Sequence, residues 1–306
     1  MDGLTMLKTL EGILNEEGLS PILVTFFSFE ALDKAASDYL RETKGIARTE
    51  TLTTLKDIQE YNLPPDFLEL RIRDKQHRNV MRYYDNVNAQ YHWPHLKSYD
   101  YLYLANRANI GGSQNTPDYF AITDATVETQ ITGNAASGSG TLVGGECTLK
   151  GATGAFSNVH ARDRVHDTTA GYYGIVLEVE ASDSLKIALF NDGEPVATAS
   201  GNAFLIQPAV HAKIVLSDPS ETEGHTMEIP YYGFQSPVYS NYRVWPFSPT
   251  ACAGICKKAS FEYKYRDRQP DFGDRLYVDY LREVNQRKRD IAKMTLQGLY
   301  GRGFSR

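Results

Sequence analysis

Apolar residues at Leu4, Leu7, Leu10 and Leu14 recur on one face of a helix, and Gly18 ends that run. A second helical pattern starts at Ser28, a good N-cap, and buries Leu32, Ala35, Ala36, Tyr39 and Leu40. It stops at Gly45, with Lys44 placed where the helix dipole favours a cation. The pattern then changes period. Arg48–Tyr61 is rich in Thr and reads as a strand, a turn at Lys56–Asp57 and a short extended piece. Pro64 and Pro65 keep the following backbone extended, and Phe67–Ile72 alternates as a strand.

From His77 to Ile122 the sequence is aromatic and irregular, until Pro117–Ile122 reads as a turn entering a strand. From about Ala125 to Ser236 it turns rich in Gly, Ala, Ser and Thr. Short runs at Tyr173–Val179, Leu185–Phe190, Phe204–Ile206 and Ala212–Leu216 are separated by turn residues. Tyr239–Trp245 and Ile255–Tyr265 read as further strands, and a long helix is expected from about Phe272 to Gly298. The fold class expected is therefore α+β. A discontinuous core, 1–124 and 237–306, packs two N-terminal helices and one long C-terminal helix with a small antiparallel sheet. An all-β sandwich or barrel-like domain, 125–236, is inserted into it.

Composition narrows the function classes. The apolar share of 42% supports a folded core, and a net charge of −6 speaks against nucleic-acid recognition as the main role. The chain holds 20 Tyr against 2 Trp, a usage that suits interfaces and half-buried sheet faces equally. The first residues lack the basic start of a signal peptide, and no apolar stretch is long enough for a bilayer, so a soluble protein without membrane association is expected. Three cysteines, Cys147, Cys252 and Cys256, fit a reducing compartment, and the last two read as small apolar residues rather than metal ligands.

Catalytic patterns are lacking. Gly111-Gly112-Ser113 and Gly144-Gly145 have no lysine or helix context for phosphate. His92 and His95 flank Pro94 and read as loop residues. His160 and His166, around Arg162, Asp163 and Arg164, read as a charged turn. No cofactor, no metal and no enzymatic activity is expected. The clearest charge feature is basic, Arg287, Lys288, Arg289 and Lys293, followed by Tyr300, Arg302, Phe304 and Arg306. Apolar residues among these cations point to docking on a partner.

The run Arg48–Leu70 resembles a signature of head-to-tail adaptor (connector) proteins of tailed bacteriophages, carried here by Tyr61, Leu63, Pro64, Asp66 and Phe67. The resemblance continues through Pro117, Tyr119, Phe120, Ala121 and Ile122, then Tyr242–Pro246, then Phe261, Tyr263, Tyr265 and Arg266, and a long C-terminal helix. The inserted β module departs from the simplest members. The resemblance implies a virion protein of the neck, assembled in the host cytoplasm. It implies a homo-oligomeric ring, commonly a dodecamer, that binds the portal protein and extends the channel through which genomic DNA passes without sequence-specific contacts. It further implies a tail tube or nozzle protein as partner, with tail fibres a further partner for the insert. Portal binding falls on Arg287, Lys288, Arg289, Lys293, Tyr300, Arg302, Phe304 and Arg306, while the motif at Tyr61–Phe67 is structural. Alternative readings are a tail-tube or tail-completion protein, or a receptor or carbohydrate-binding virion protein.

Overall fold

A computed structural model describes residues 1–14, 27–44, 46–72, 80–107, 116–124, 129–209, 212–266 and 270–300. The elements begin with α1 (Gly3–Leu14), α2 (Ser28–Thr43), β1 (Ala47–Thr53), β2 (Glu60–Asn62), β3 (Phe67–Leu70), β4 (Arg82–Asp85), β5 (Gln90–His92) and β6 (His95–Leu96). They continue with α3 (Tyr99–Arg107), β7 (Tyr119–Asp124), β8 (Ile131–Asn134), β9 (Gly140–Val143), β10 (Glu146–Lys150), β11 (Arg164–Asp167), β12 (Tyr172–Ala181) and β13 (Ser184–Asn191). The last are β14 (Glu194–Val196), β15 (Ala203–Gln207), β16 (Ala212–Leu216), β17 (Thr226–Gly233), α4 (Pro249–Arg266) and α5 (Pro270–Tyr300). The molecule is thus mixed α+β, with sheets that are antiparallel apart from the parallel pairing of β6 with β7. It divides into two units, Met1–Thr43 with Gln130–Gln207 and Gln235–Arg306, and Lys44–Thr129 with Pro208–Phe234.

The first unit packs α1, α2, α4 and α5 against an antiparallel sheet ordered β8-β15-β11-β12-β13-β10-β9, with β14 paired to β13. Strands β12 and β13 are buried on both faces at their centre, over Gly174–Leu177 and Ile187–Phe190. Because strand side chains alternate, Ile175, Leu177, Ala188 and Phe190 meet the helices, while Val176, Ile187 and Leu189 join a second core with Leu149, Phe156 and Phe204. The sheet is therefore no detachable module. Removing it would strip one wall from the core that also holds Met6, Leu10, Leu32 and Tyr280.

The second unit has two sheets, β1-β17-β4-β5 with β3 also on β17, and β2-β16-β7-β6. Strand β17 is its spine and contains Pro230, a residue poorly suited to a central strand. On one flank β17 pairs with β1 throughout. On the other it pairs with β4 at Thr226–Glu228 and with β3 from Tyr231. Pro230 lies at the changeover, where a missing N–H interrupts no ladder, and its carbonyl accepts from Arg71 N–H at 2.9 Å.

Several expectations change. Ala212–Leu216, and the strand Thr226–Gly233 that sequence reading missed, fall inside the expected 125–236 insert but pair with β7, β2, β1, β3 and β4 of the second unit. Ile255–Tyr265, expected as a strand, lies in helix α4. Its buried residues Cys252, Ile255, Cys256 and Ala259 follow helical spacing, and the alternating aromatics Phe261 and Tyr263 sit half-buried on its last turns. Tyr239–Trp245, expected as a strand, bends at Ser240, Asn241 and Tyr242 and forms none; one bridge joins Val244 to Asp2. The stretch read as irregular holds β4, β5, β6 and α3. Gly18, Gly45 and Gly111-Gly112-Ser113 lie outside the described residues.

Candidate docking surfaces

The residues Tyr61, Leu63, Pro64, Asp66 and Phe67 form the corner between β2 and β3. Pro64 carbonyl accepts Phe67 N–H at 2.9 Å, closing the turn that the two prolines favour. Asp66 pairs with Arg48 and accepts the Tyr231 hydroxyl at 3.0 Å, while Phe67 lies 5.7 Å from the Tyr231 ring. Burial, and then the Asp66 charge, push the Tyr231 phenol up to about 12. Gly233 is required here, since a Cβ would come 2.5 Å from Asp66 Oδ2. Leu63 is buried and donates its N–H to Ala212 at 2.9 Å. These five residues fix backbone geometry. Phe67 also lines an open groove of 750 Å³ with Leu70, Leu96 and Ile122, bordered by Lys44 and Lys97.

Tyr61 does more than pack. Its hydroxyl accepts Leu55 N–H at 3.1 Å and lies 2.9 Å from Ile58 carbonyl, so it braces the turn between β1 and β2. Burial pushes its phenol up. That turn is tied to the loop before β17, because Thr54 N–H donates to His225 carbonyl at 2.8 Å and Asp57 N–H to Ser220 carbonyl at 2.9 Å. Leu55 and Ile58 are left facing solvent from a braced loop.

The same loop contains an arrangement that looks catalytic. Thr222 Oγ1 lies 2.6 Å from His225 Nε2, and Asp85 Oδ1 lies 3.3 Å from His225 Nδ1. The backbone decides its chemistry. Asn86 N–H donates to Nδ1 at 3.2 Å, so the neutral ring carries its proton on Nε2 and gives it to Thr222. An imidazole in that tautomer cannot take the proton of Thr222, as a triad requires. Asp85 is occupied by Val87 N–H and by Asn88. Burial alone would push its carboxyl up, but those donors prevail and hold it below the usual range. The cluster is a loop clasp.

Helix α5 supplies a second kind of surface. Leu276, Tyr280 and Val284 are buried, and no residue from Asn285 to Lys293 is. Arg287, Lys288, Arg289 and Lys293 are exposed, and none forms an ion pair among the described residues. Tyr300 is the last described residue of the helix; Arg302, Phe304 and Arg306 lie outside the described residues. The run from Asn285 to Tyr300 is about 24 Å long at helical rise.

The remaining candidates take structural places. His92 lies in β5 and His95 in β6, on either side of Pro94. Around His160 and His166, Arg162 grips Asp33 at 2.7 and 3.1 Å and Arg164 meets Glu30 at 2.9 Å, so this charged turn clamps α2. His160 N–H donates to Asp163 at 2.8 Å. Burial pushes the Cys147 thiol up to about 11 and Cys256 up to about 12, so both stay protonated near neutrality. No cluster of three or more metal-ligating side chains occurs among the described residues, and no helix there is long and apolar enough to cross a membrane. No family model matches the chain, and no curated protein matches it.

Proposed function

We propose that the chain is a structural virion protein of a tailed bacteriophage, forming a homo-oligomeric ring between portal and tail that extends the DNA channel. The observation that carries this reading is α5. Its last buried residue among those described is Val284, and it continues as a helix bearing exposed Arg287, Lys288, Arg289 and Lys293. A helix that presents exposed cations suits an acidic groove on a neighbouring protein, and a ring multiplies that weak contact through avidity. The motif residues Tyr61–Phe67 support the reading in another way, as one continuous corner that braces loop Leu55–Ile58 for contact. Contact, and no turnover of a substrate, is the function assigned. The portal is the proposed partner of α5, a tail tube or nozzle protein the proposed partner of the braced loops, and the eight-stranded sheet a proposed dock for tail fibres.

The test is electron microscopy of the purified full chain, alone and coexpressed with a tailed-phage portal. Rings with a central hole that stack on the portal are expected. Reversing Lys288, Arg289 and Lys293 to Glu should leave rings intact and weaken portal stacking at least about tenfold. A chain that stays monomeric in every condition overturns the reading.

A further inference from the structure

The segment from Asn241 to Trp245 is inside out. Tyr242 and Val244 are 68% and 70% exposed, the highest values among the described large apolar residues. Arg243, between them, keeps only 20% of its side chain in solvent. A surface segment ordinarily does the reverse. Arg243 is held inward by charge. Its Nε donates to Glu146 Oε1 at 2.7 Å, and its Nη2 reaches Glu146 Oε2 at 3.2 Å and Glu178 Oε2 at 3.1 Å. Ser240 donates to the same Glu146 oxygen at 2.6 Å.

The backbone is fixed from both sides. Gly3 N–H donates to Arg243 carbonyl at 3.1 Å, Leu4 N–H to Asn241 carbonyl at 3.2 Å, Trp245 N–H to Met1 carbonyl at 2.8 Å, and Asn241 N–H to Gly144 carbonyl at 2.9 Å. The Tyr242 ring lies so close over Gly144 that a Cβ there would meet it at 2.0 Å. Exposed Leu4 and Val143 are chain neighbours of these anchoring residues. The result is a rigid apolar surface whose central cation is paired with two carboxylates. Covering it sacrifices little conformational freedom, and apolar surface held out in this way marks a contact site.

We propose that this patch is one face of the contact between neighbouring copies of the chain. The inference rests on the ring reading above. Identical copies, each with a net charge of −6, repel one another, so their contact needs a neutral apolar area. This patch provides one. Arg243, between its two exposed apolar side chains, is already bound by two carboxylates and adds no free charge to it.

The test is mass photometry of the full-length protein across a dilution series, comparing the native chain with Val244→Asp, Tyr242→Ser and Val244→Leu. Thermal unfolding serves as the folding control. Val244→Asp should raise the half-assembly concentration by more than about tenfold and Tyr242→Ser by several-fold, with Tm unchanged and Val244→Leu still assembling. If Val244→Asp lowers Tm, Val244→Thr, which keeps the shape, carries the decision and should weaken assembly. Assembly unaffected by these substitutions overturns the patch as an interface while the ring reading stands. A native chain that never assembles overturns both.

Discussion

Arg162 adopts φ 81°, a left-handed conformation that costs a branched backbone of order 1 kcal/mol or more. The strain is offset by what the position reaches. The guanidinium holds Asp33 with two hydrogen bonds and Gln235 carbonyl at 2.7 Å, while Gln235 Nε2 donates to Asp33 at 2.9 Å. Arg162→Ala leaves Asp33 buried without its cation and should destabilise the protein by about 3 kcal/mol in chemical denaturation. Arg162→Gly relieves the backbone yet loses the same pair, so it should fall well short of native stability. Asp167 is a second buried anchor. Burial alone would push its carboxyl up, but Asn202, the Ala170 N–H, Thr198 and the Thr169 N–H together hold it below the usual aspartate value. Its folded pKa is depressed, as is that of Asp85, so their stabilisation is complete above about pH 4 and is lost as pH falls through the lowered values. Asp167→Asn should cost about 2 kcal/mol at neutral pH and flatten the acid limb of a Tm-against-pH profile.

At the scale of elements, α4 shows where local signals and periodicity part. Ser248 Oγ accepts Ala251 N–H at 3.3 Å and its carbonyl accepts Cys252 N–H at 2.9 Å, with Pro249 in the first helical position. Ser-Pro is a readable helix start, and it outweighs the alternation of Phe261, Tyr263 and Tyr265 that reads as a strand. Ser248→Ala should lower Tm by a few degrees, corresponding to about 1 kcal/mol. Helices α2 and α5 are legible in sequence because their buried residues follow the helical period, and strands β12, β13 and β16 because they are short apolar runs bounded by turn residues. Strand β17 is hidden by Pro230, whose place between β3 and β4 is settled by distant partners. The exposed cations of α5 are legible as charge, and their freedom from ion pairs needs the structure. The outward turn of Tyr242 and Val244 is invisible in sequence, because it depends on Glu146 and Glu178 pulling Arg243 inward.

At the scale of the whole molecule, the two units differ in how far their contacts reach along the chain. Strands β12 and β13 pair across the short turn between Ala181 and Ser184, whereas β1 meets β17 with Ala47 opposite Tyr232. Local pairings form early and distant ones late. Pulse-labelled hydrogen exchange during refolding should therefore protect Ile175 and Ile187 amides before those of Leu52 and Met227. Equal rates in both sets would contradict this order.

The anchoring of Asn241–Trp245 has a bearing on timing as well as on shape. Its backbone partners are Met1, Gly3 and Leu4, at the far end of the chain, and its charge partners lie in β10 and β12. A nascent or partly folded chain has the residues of this surface without the means to hold them outward. The outward-held surface then exists only once early and late parts of the chain have met, and unfinished copies lack it.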